Sequence, residues 1–334
     1  MSAAAPSAQP AVPFAIGVDV GGTKLEAIVL DADGVERWRE RVPTPRADYD
    51  TTLRAIAALA ARARSAIQPA RCSIGFGTPG TLSAQGLMKN CNSTQLNGRP
   101  LQRDLEALLG QPVLLANDAN CLAMSEATDG AGAAADVVFA AILGTGVGGG
   151  IAVRGHVLTG PNGLAGEWGH VPLPWRDDGE PLWDCYCGRR GCIETLVSGP
   201  GLARDHHDRH GGDLDAAAIV ARAAAGDADC EATLSRWERR LARALALVID
   251  VLDPDVIVLG GGLSRIERLY RHVPVLLPQW VFSGGLRDAV HTRVVPSRHG
   301  DASGVRGAAW LWREAAPAPP GRVTSAGTGA GSCG

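Results

Sequence analysis

The sequence predicts an α/β protein of two domains around a cleft, and three observations carry that expectation. A β-branched run from Phe14 to Val20 ends in Asp19-Val20-Gly21-Gly22-Thr23-Lys24 and resumes as a strand, Leu25 to Leu30, so a glycine turn joins two strands. The same unit recurs where Asp136 to Leu143 runs into Gly144-Thr145-Gly146-Val147-Gly148-Gly149-Gly150 and continues as strand from Ile151 to Val153. The 334 residues are long for one domain and comfortable for two. The expected division gives residues 14–117 plus 301–314 to an N-terminal domain and 118–300 to a C-terminal one. Residues 1–13 and 315–334, rich in Ala, Pro and Gly, are expected to be a disordered leader and tail.

The remaining elements follow from periodicity and punctuation. Asp31-Ala32-Asp33-Gly34 turns the chain into a third strand, Val35 to Val42, and Asp50 to Ile67 has helical spacing. Cys72 to Gly77 is a buried strand broken by Thr78-Pro79-Gly80, and Asn90 to Arg99 is a polar loop. A short helix, Leu101 to Leu109, and a strand, Val113 to Ala116, lead into Asn117-Asp118-Ala119-Asn120 and a helix from Cys121 to Thr128. Trp237, Leu241, Leu245 and Val248 share one face of a long helix, Asp227 to Leu252, which Asp253-Pro254 stops. A strand, Val256 to Leu259, closes in Gly260-Gly261-Gly262, with a helix expected from Ser264 and a last one from Gly304 to Arg313.

Composition narrows the function classes. Hydrophobic residues make up 46% of the chain and the formal net charge is −3, which supplies a core but no basic field for nucleic acid or a membrane surface. Small molecules are the expected partners. The sequence does not set an oligomeric state, and a homodimer is compatible with it. Eight cysteines are few for this length, and the N-terminus lacks a basic stretch followed by an apolar run, so a reduced, cytoplasmic protein is expected. Nearly every cation is arginine; the lysines are Lys24 and Lys89.

Four groups of residues carry chemistry. Between Gly166 and Glu194 the chain collects His170, Cys185, Cys187 and Cys192, a soft donor set suited to a closed tetrahedral zinc site, with Glu167 and Glu194 on its flanks. Folding this loop around a metal would fix both acids, and the loop reads as the holder of a polyol such as a sugar. Asp19, Gly21, Gly22, Thr23 and Lys24 offer bare backbone amides, a hydroxyl, an ammonium and a carboxylate for Mg²⁺, the parts of a phosphate cradle, although an ordinary tight hairpin would leave the same string. Gly144 to Gly150 offers a second cradle. It also satisfies G-x-G-x-x-G through Gly144, Gly146 and Gly149, but a dinucleotide fingerprint opens a helix after the third glycine, and here a strand follows. Asp118 emerges at a strand's C-terminal end, where it can take a hydroxyl proton as phosphate arrives or simply cap the helix beginning at Ala119. The other histidines show no ligand pattern.

With these residues in hand, the stretch from about Ala15 to Arg313 resembles the ROK family of bacterial sugar kinases, within the actin-like, sugar-kinase and Hsp70-like ATPases. The motifs D-V-G-G-T-K, N-D-A-N, G-T-G-V-G-G-G, G-E-W-G-H, C-Y-C-G-R-R-G-C-I-E and L-G-G-G occur in the family's order. The resemblance implies ATP phosphates on Gly17 to Lys24 and on Gly144, Thr145, Gly146, Gly148, Gly149 and Ile151, with adenosine near Gly260, Gly261 and Gly262. It implies Asp118 as catalytic base, structural zinc on His170, Cys185, Cys187 and Cys192, and sugar hydroxyls on Asn117, Asp118, Glu167, His170 and Glu194. The segments N-C-N-S-T-Q-L-N-G-R-P-L, H-V-P-L-P-W and H-G-D-A-S-G-V-R-G-A-A-W-L-W are most similar to fructokinases with some mannose activity, which makes D-fructose to fructose 6-phosphate the expected reaction. Glucokinase, mannokinase and N-acetylglucosamine kinase are alternatives in the same family. N-acetylglucosamine kinases share the catalytic and zinc motifs but have a different loop where Asn92-Ser93-Thr94 stands. A sugar-sensing, non-catalytic regulator is the alternative of another class. Family repressors carry a winged-helix domain ahead of the first glycine turn, whereas about a dozen residues precede Ala15 here, so a DNA-binding role is not expected.

Overall fold

The computed structural model describes residues 12–45, 48–91, 93–283 and 288–313. The expected tail, nearly all of the expected leader, and Asn92 lie outside the described residues.

The first glycine turn joins β1 (Phe14–Val20) to β2 (Lys24–Asp31) as antiparallel neighbours, and β3 (Glu36–Pro43) pairs antiparallel with β2. Helix α1 (Tyr49–Ser65) begins at Asp48, whose side chain accepts the Thr51 amide hydrogen bond, and buries Leu53, Ile56 and Leu59 against this sheet. The chain then returns as β4 (Cys72–Thr78), parallel to β1. A small hairpin follows, β5 (Thr81–Leu82) and β6 (Met88–Lys89). Helix α2 (Leu101–Leu109) and β7 (Leu114–Asn117) complete a sheet in the order β3-β2-β1-β4-β7.

After α3 (Asp118–Thr128) the pattern starts again. The second glycine turn joins β8 (Val137–Leu143) to β9 (Val147–Val153), and β10 (His156–Val157) pairs with β9. Beyond the metal-type loop come α4 (Ile193–Val197), α5 (Gly199–His210), α6 (Ala216–Ala224) and α7 (Ala228–Leu252). Then β11 (Val256–Gly260), α8 (Leu269–Leu276) and β12 (Arg293–Pro296) lead to α9 (Ser303–Trp310). The second sheet runs β10-β9-β8-β11-β12. Strand for strand, it repeats the order and the parallel and antiparallel pairings of the first, so the duplication expected from the two glycine turns extends to five strands in each half.

On α7, Trp237, Leu241, Leu245 and Val248 are buried, as their spacing predicts. The helix expected from Ser264 is instead a short 3₁₀ turn, Gly262–Arg265, with α8 starting four residues later. The carbonyls of Gly261 and Leu263 are taken up by the tight turns Ser264 N to Gly261 and Ile266 N to Leu263, which delays the α-helix. Among the described residues, no helix is long and apolar enough to cross a membrane.

The two sheets meet through α3 and α9. Helix α9 packs on β1 and β4, α3 packs on β8 and β9, and the two helices pack on each other. They cross at Gly307, where a Cβ would stand 1.7 Å from the Cys121 carbonyl oxygen. Gly307→Val is therefore expected to lower stability by about 1–3 kcal/mol or more, read by denaturant titration. The control is Gly304→Ala on the same helix, where an added Cβ meets nothing; it is expected to be neutral or stabilising, and equal losses from the two would refute the crossing as the cause.

Candidate functional site

A cavity of about 620 Å³ opens between the first glycine turn and the start of α3, and its lining includes Asp19, Gly21, Gly22, Ser93, Thr94 and Asp118. Asp19 lies near the end of β1, paired across β2 with Glu26. Partial burial, then the charges of Asp118 and Glu26, raise its pKa to about 6, against a smaller downward pull from Lys24 and Arg41. Glu26 is itself buried and accepts hydrogen bonds from Arg39 and Arg41. Sequence reasoning missed this triad. Its signal was the period-two row Arg37, Arg39, Arg41 on β3, beside a β2 strand whose acids are Glu26 and Asp31.

Asp118 opens α3. Its neighbour Asn117 is the cap, accepting the Asn120 amide hydrogen at 2.7 Å, while Asp118 Oδ1 accepts from the Ala119 amide at 2.8 Å. The Asp118 residue is exposed to the cleft yet hemmed in by protein on its other sides. Loss of water raises its pKa, the Ala119 hydrogen bond opposes the rise, and the charge of Glu167 adds to it. Cleft water keeps the rise below that of a fully enclosed carboxylate.

The glycine turns are only partly what their sequence suggests. Gly21, Gly22 and Thr23 form the open part of the first turn, and the Lys24 ammonium rests 3.8 Å from Glu26 instead of lining the cavity. Gly17 lies in mid-strand, where a Cβ would come within 2.0 Å of the Val305 carbonyl; it is a contact for α9 and forms no part of the turn, which corrects its expected phosphate role. In the second turn Thr145 is exposed, with Gly144, Gly146 and Gly148 half-buried, whereas Gly149 is buried under the backbone of Gly166 and the indole of Trp168. Of the third set, Gly260 ends β11, where an added Cβ would come within 2.7 Å of the Leu122 side chain. Gly261 has φ +83°, and Gly262 is open. A cavity of about 290 Å³ opens beside them, bordered by Gly261, Ser264, Arg265, Glu267 and Tyr270.

The expected metal ligands come together. One donor atom each from His170, Cys185, Cys187 and Cys192 lies within 4.8 Å of the others. Cys187 and Cys192 are 3.7 Å apart sulfur to sulfur, and Cys185 Sγ is 3.5 Å from His170 Nδ1. A tetrahedral zinc site has edges of roughly 3.8 Å between sulfurs and roughly 3.6 Å from sulfur to nitrogen, so the donor set fits that ion in type and spacing. The loop is held from outside. Arg240 and Arg243, buried on α7, bind Glu180, which lies between His170 and Cys185. The Trp168 indole donates to the Gly148 carbonyl at 2.8 Å.

Glu194 stands at the far side of this loop and accepts from the Val147 amide at 2.9 Å, which brings it against the second glycine turn. His170 turns Nε2 outward, 2.9 Å from the Tyr186 hydroxyl. Tyr186, 79% exposed, was missed by sequence reasoning, being the residue between two ligand cysteines. Partial burial of its hydroxyl, with the charges of Glu194, Cys185 and Glu167, pushes its pKa up to about 12.

Two like-ordered sheets presenting glycine turns and carboxylates to a shared cleft define an actin-like ATPase fold of the sugar-kinase type. The chain belongs to the ROK family, whose model matches residues 15–315. It is 40% identical over 301 residues to the N-acetyl-D-glucosamine kinase of Yersinia enterocolitica, covering 88% of this chain and 98% of the relative. Among solved structures it is similar to the ROK hexokinase from Thermus thermophilus, with TM-score 0.78 and 33% identity over 89% of this chain and 97% of that one. A ROK family glucokinase from Streptomyces griseus, solved in complex with glucose and AMPPNP, gives TM-score 0.72 and 29% identity over 89% of this chain and 98% of that one.

The raised pKa of Asp19 has a consequence for stability. A carboxyl at 3.8 unfolded and about 6 folded binds its proton more tightly in the folded state, so ionising it costs stability that accumulates as pH rises from 3.8 to about 6 and is fully felt above. Asp19→Asn is expected to raise the melting temperature of the ligand-free protein at pH 7.5 and to leave it unchanged near pH 4. A gain of the same size at both pH values would mean that ionisation is not the cause.

Proposed function

We propose that the protein transfers the γ-phosphoryl group of ATP to the 6-hydroxyl of a hexose, with Asp118 as the base. The observation supporting this reading most directly is that Asp118 and Asp19 line the same cavity as the first glycine turn. In this reading the amides of Gly21 and Gly22 and the Thr23 hydroxyl take phosphate oxygens from one side, and Gly144, Thr145, Gly146 and Gly148 from the other, while Lys24 stays with Glu26 outside the cavity lining. Asp19 holds Mg²⁺, which offsets charge on the phosphates. Adenosine lies along Gly261 and Gly262. As the phosphoryl group arrives, the Asp118 carboxylate takes the hydroxyl proton, a contribution typically of about 10²–10⁴-fold. Its raised pKa makes it a better acceptor than a free aspartate. Closing of the two halves over the substrates would exclude water and limit ATP hydrolysis.

The sugar side is read as Asn117, Asp118, Glu167, His170 and Glu194. Zinc on His170 Nδ1, Cys185, Cys187 and Cys192 would serve as a structural staple. Engagement of Nδ1 leaves the proton on Nε2, which makes His170 a hydrogen-bond donor toward the cleft.

For the identity of the hexose, the Yersinia enterocolitica relative supports N-acetyl-D-glucosamine ahead of the fructose expected from sequence motifs. Fructose is the second reading, favoured by the fructokinase-like sequence of the turn carrying Ser93 and Thr94, which lines the cavity. One or two pocket contacts suffice to change preference among similar sugars. A non-catalytic sugar sensor is disfavoured by the intact Asp19 and Asp118 pair.

A coupled ADP-release assay with N-acetyl-D-glucosamine, D-fructose, D-glucose and D-mannose ranks the substrates by kcat/KM. N-acetyl-D-glucosamine is expected to lead, a fructose lead would install the second reading, and no turnover with any hexose would leave only the sensor. In the same assay Asp118→Asn should lower turnover by roughly 10²-fold or more with ATP affinity and melting temperature nearly unchanged. Retention of more than half the wild-type rate would reduce Asp118 to a helix-start residue.

A further inference from the structure

Lys89 is one of two lysines in the chain, and its side chain joins the two halves of the molecule. It sits at the end of β6, in the small hairpin of the first half, and its ammonium donates to the carbonyl oxygen of Asn162, in the loop after β10, at 3.0 Å. The next residue of that loop, Gly163, also rests on the hairpin. A Cβ there would lie 3.5 Å from Thr81 Oγ1 and 3.6 Å from the Leu82 carbonyl, so the two backbones are in close contact.

Each side of this bridge continues into a wall of the cleft. Two residues after Lys89, the Cys91 amide donates to Asn97 Oδ1 at 2.9 Å and the Asn97 amide donates back to the Cys91 carbonyl at 3.0 Å. That clasp closes the turn whose Ser93, Thr94 and Gln95 line the 620 Å³ cavity. Four residues after Asn162, Gly166 packs its backbone on Gly149, and Glu167 follows. Because both segments are anchored at their far ends, the free variable is the gap between them, and the Lys89 bond spans it.

We propose that Lys89 is a positioning residue that sets the width of the sugar pocket, by holding the Asn162 carbonyl so that the Ser93–Gln95 turn faces Glu167 at a fixed spacing. The proposal rests on the reading that this end of the cleft takes the hexose. Lysine suits the task because its ammonium is a compact donor on a long flexible stem, which can reach one carbonyl without the breadth of a guanidinium. The bridge from Lys89 to Asn162 includes no residue of either glycine turn.

Steady-state kinetics on the full chain tests this with Lys89→Met, which keeps the stem and loses the donor, and Lys89→Arg, which keeps the charge. With the best hexose of the panel, Lys89→Met is expected to raise the hexose KM about fivefold to tenfold, as loss of one charge-assisted hydrogen bond allows. The KM for ATP should stay within twofold and kcat should fall less than twofold. Lys89→Arg should lie between Met and wild type. The preference for the best hexose over the next should also narrow in Lys89→Met, an effect general loosening of the fold would not produce without raising the ATP KM. A hexose KM within twofold of wild type in Lys89→Met, or hexose and ATP KM values rising together, overturns the proposal. Glu167→Gln separates the two levels of inference: if it raises the hexose KM while Lys89→Met does not, the positioning role fails and the sugar-site reading stands. If neither moves it, both fail.

Discussion

Helix α3 has to serve two sheets at once, and the rest of the site depends on how tightly it is held. Its first residue is Asp118, and its body lies between α9 and the second sheet. The crossing with α9 is close enough that only glycine fits at position 307. At the far end, buried Glu126 accepts from the Ala131 and Arg298 amides and from the Ser303 hydroxyl. Asp129 accepts from Arg306 and from the Trp310 indole. A buried carboxylate with several donors is stable only if all of them are in place. The C-terminal segment from Arg298 to Trp310 thus sets the axis along which Asp118 is aimed, and its Gly300 and Asp301 border the 290 Å³ cavity beside Gly261.

Around that axis the site divides by chemistry. In the proposed reading the phosphate side is largely backbone, where two strand–glycine–strand turns can let an anion close to amide groups. The proposed sugar side adds Glu167 and His170, on a loop with little regular structure, to groups at the starts of α3 and α4, and such a loop needs external restraints to hold hydrogen-bonding groups in place. Three kinds are present: the His170, Cys185, Cys187 and Cys192 quartet, the Arg240 and Arg243 clamps on Glu180, and Trp168 on Gly148. His170 belongs to the quartet through Nδ1 and faces outward through Nε2, so it links the restraint to the substrate side.

What could be read in advance was what is local. Three cysteines and a histidine of one donor class, and glycines between strands, announce themselves by type and short spacing, and the structure brings both sets together. Glycine alone does not say why it is required: Gly17 reads as part of a phosphate loop but is a mid-strand seat for α9. Asp118 reads from sequence as either cap or base, and the structure gives the cap to Asn117. The contacts that escaped are those between segments distant in the chain. Glu26 with Arg39 and Arg41 depends on strand pairing, Tyr186 on the fold of the cysteine loop, and Lys89 with Asn162 on the docking of one half against the other. No spacing rule encodes such pairs.

The division of the site, with metal serving only the sugar side, is tested most directly by calorimetric titration of the preferred hexose and of ATP into protein with bound zinc and into protein stripped by a strong chelator, with Cys187→Ser as a second route to metal loss. The expected result is that hexose affinity falls more than tenfold, about 1.4 kcal/mol, while ATP affinity changes much less. Hexose binding as tight without metal as with it would contradict the link through His170 and reduce the quartet to a remote staple.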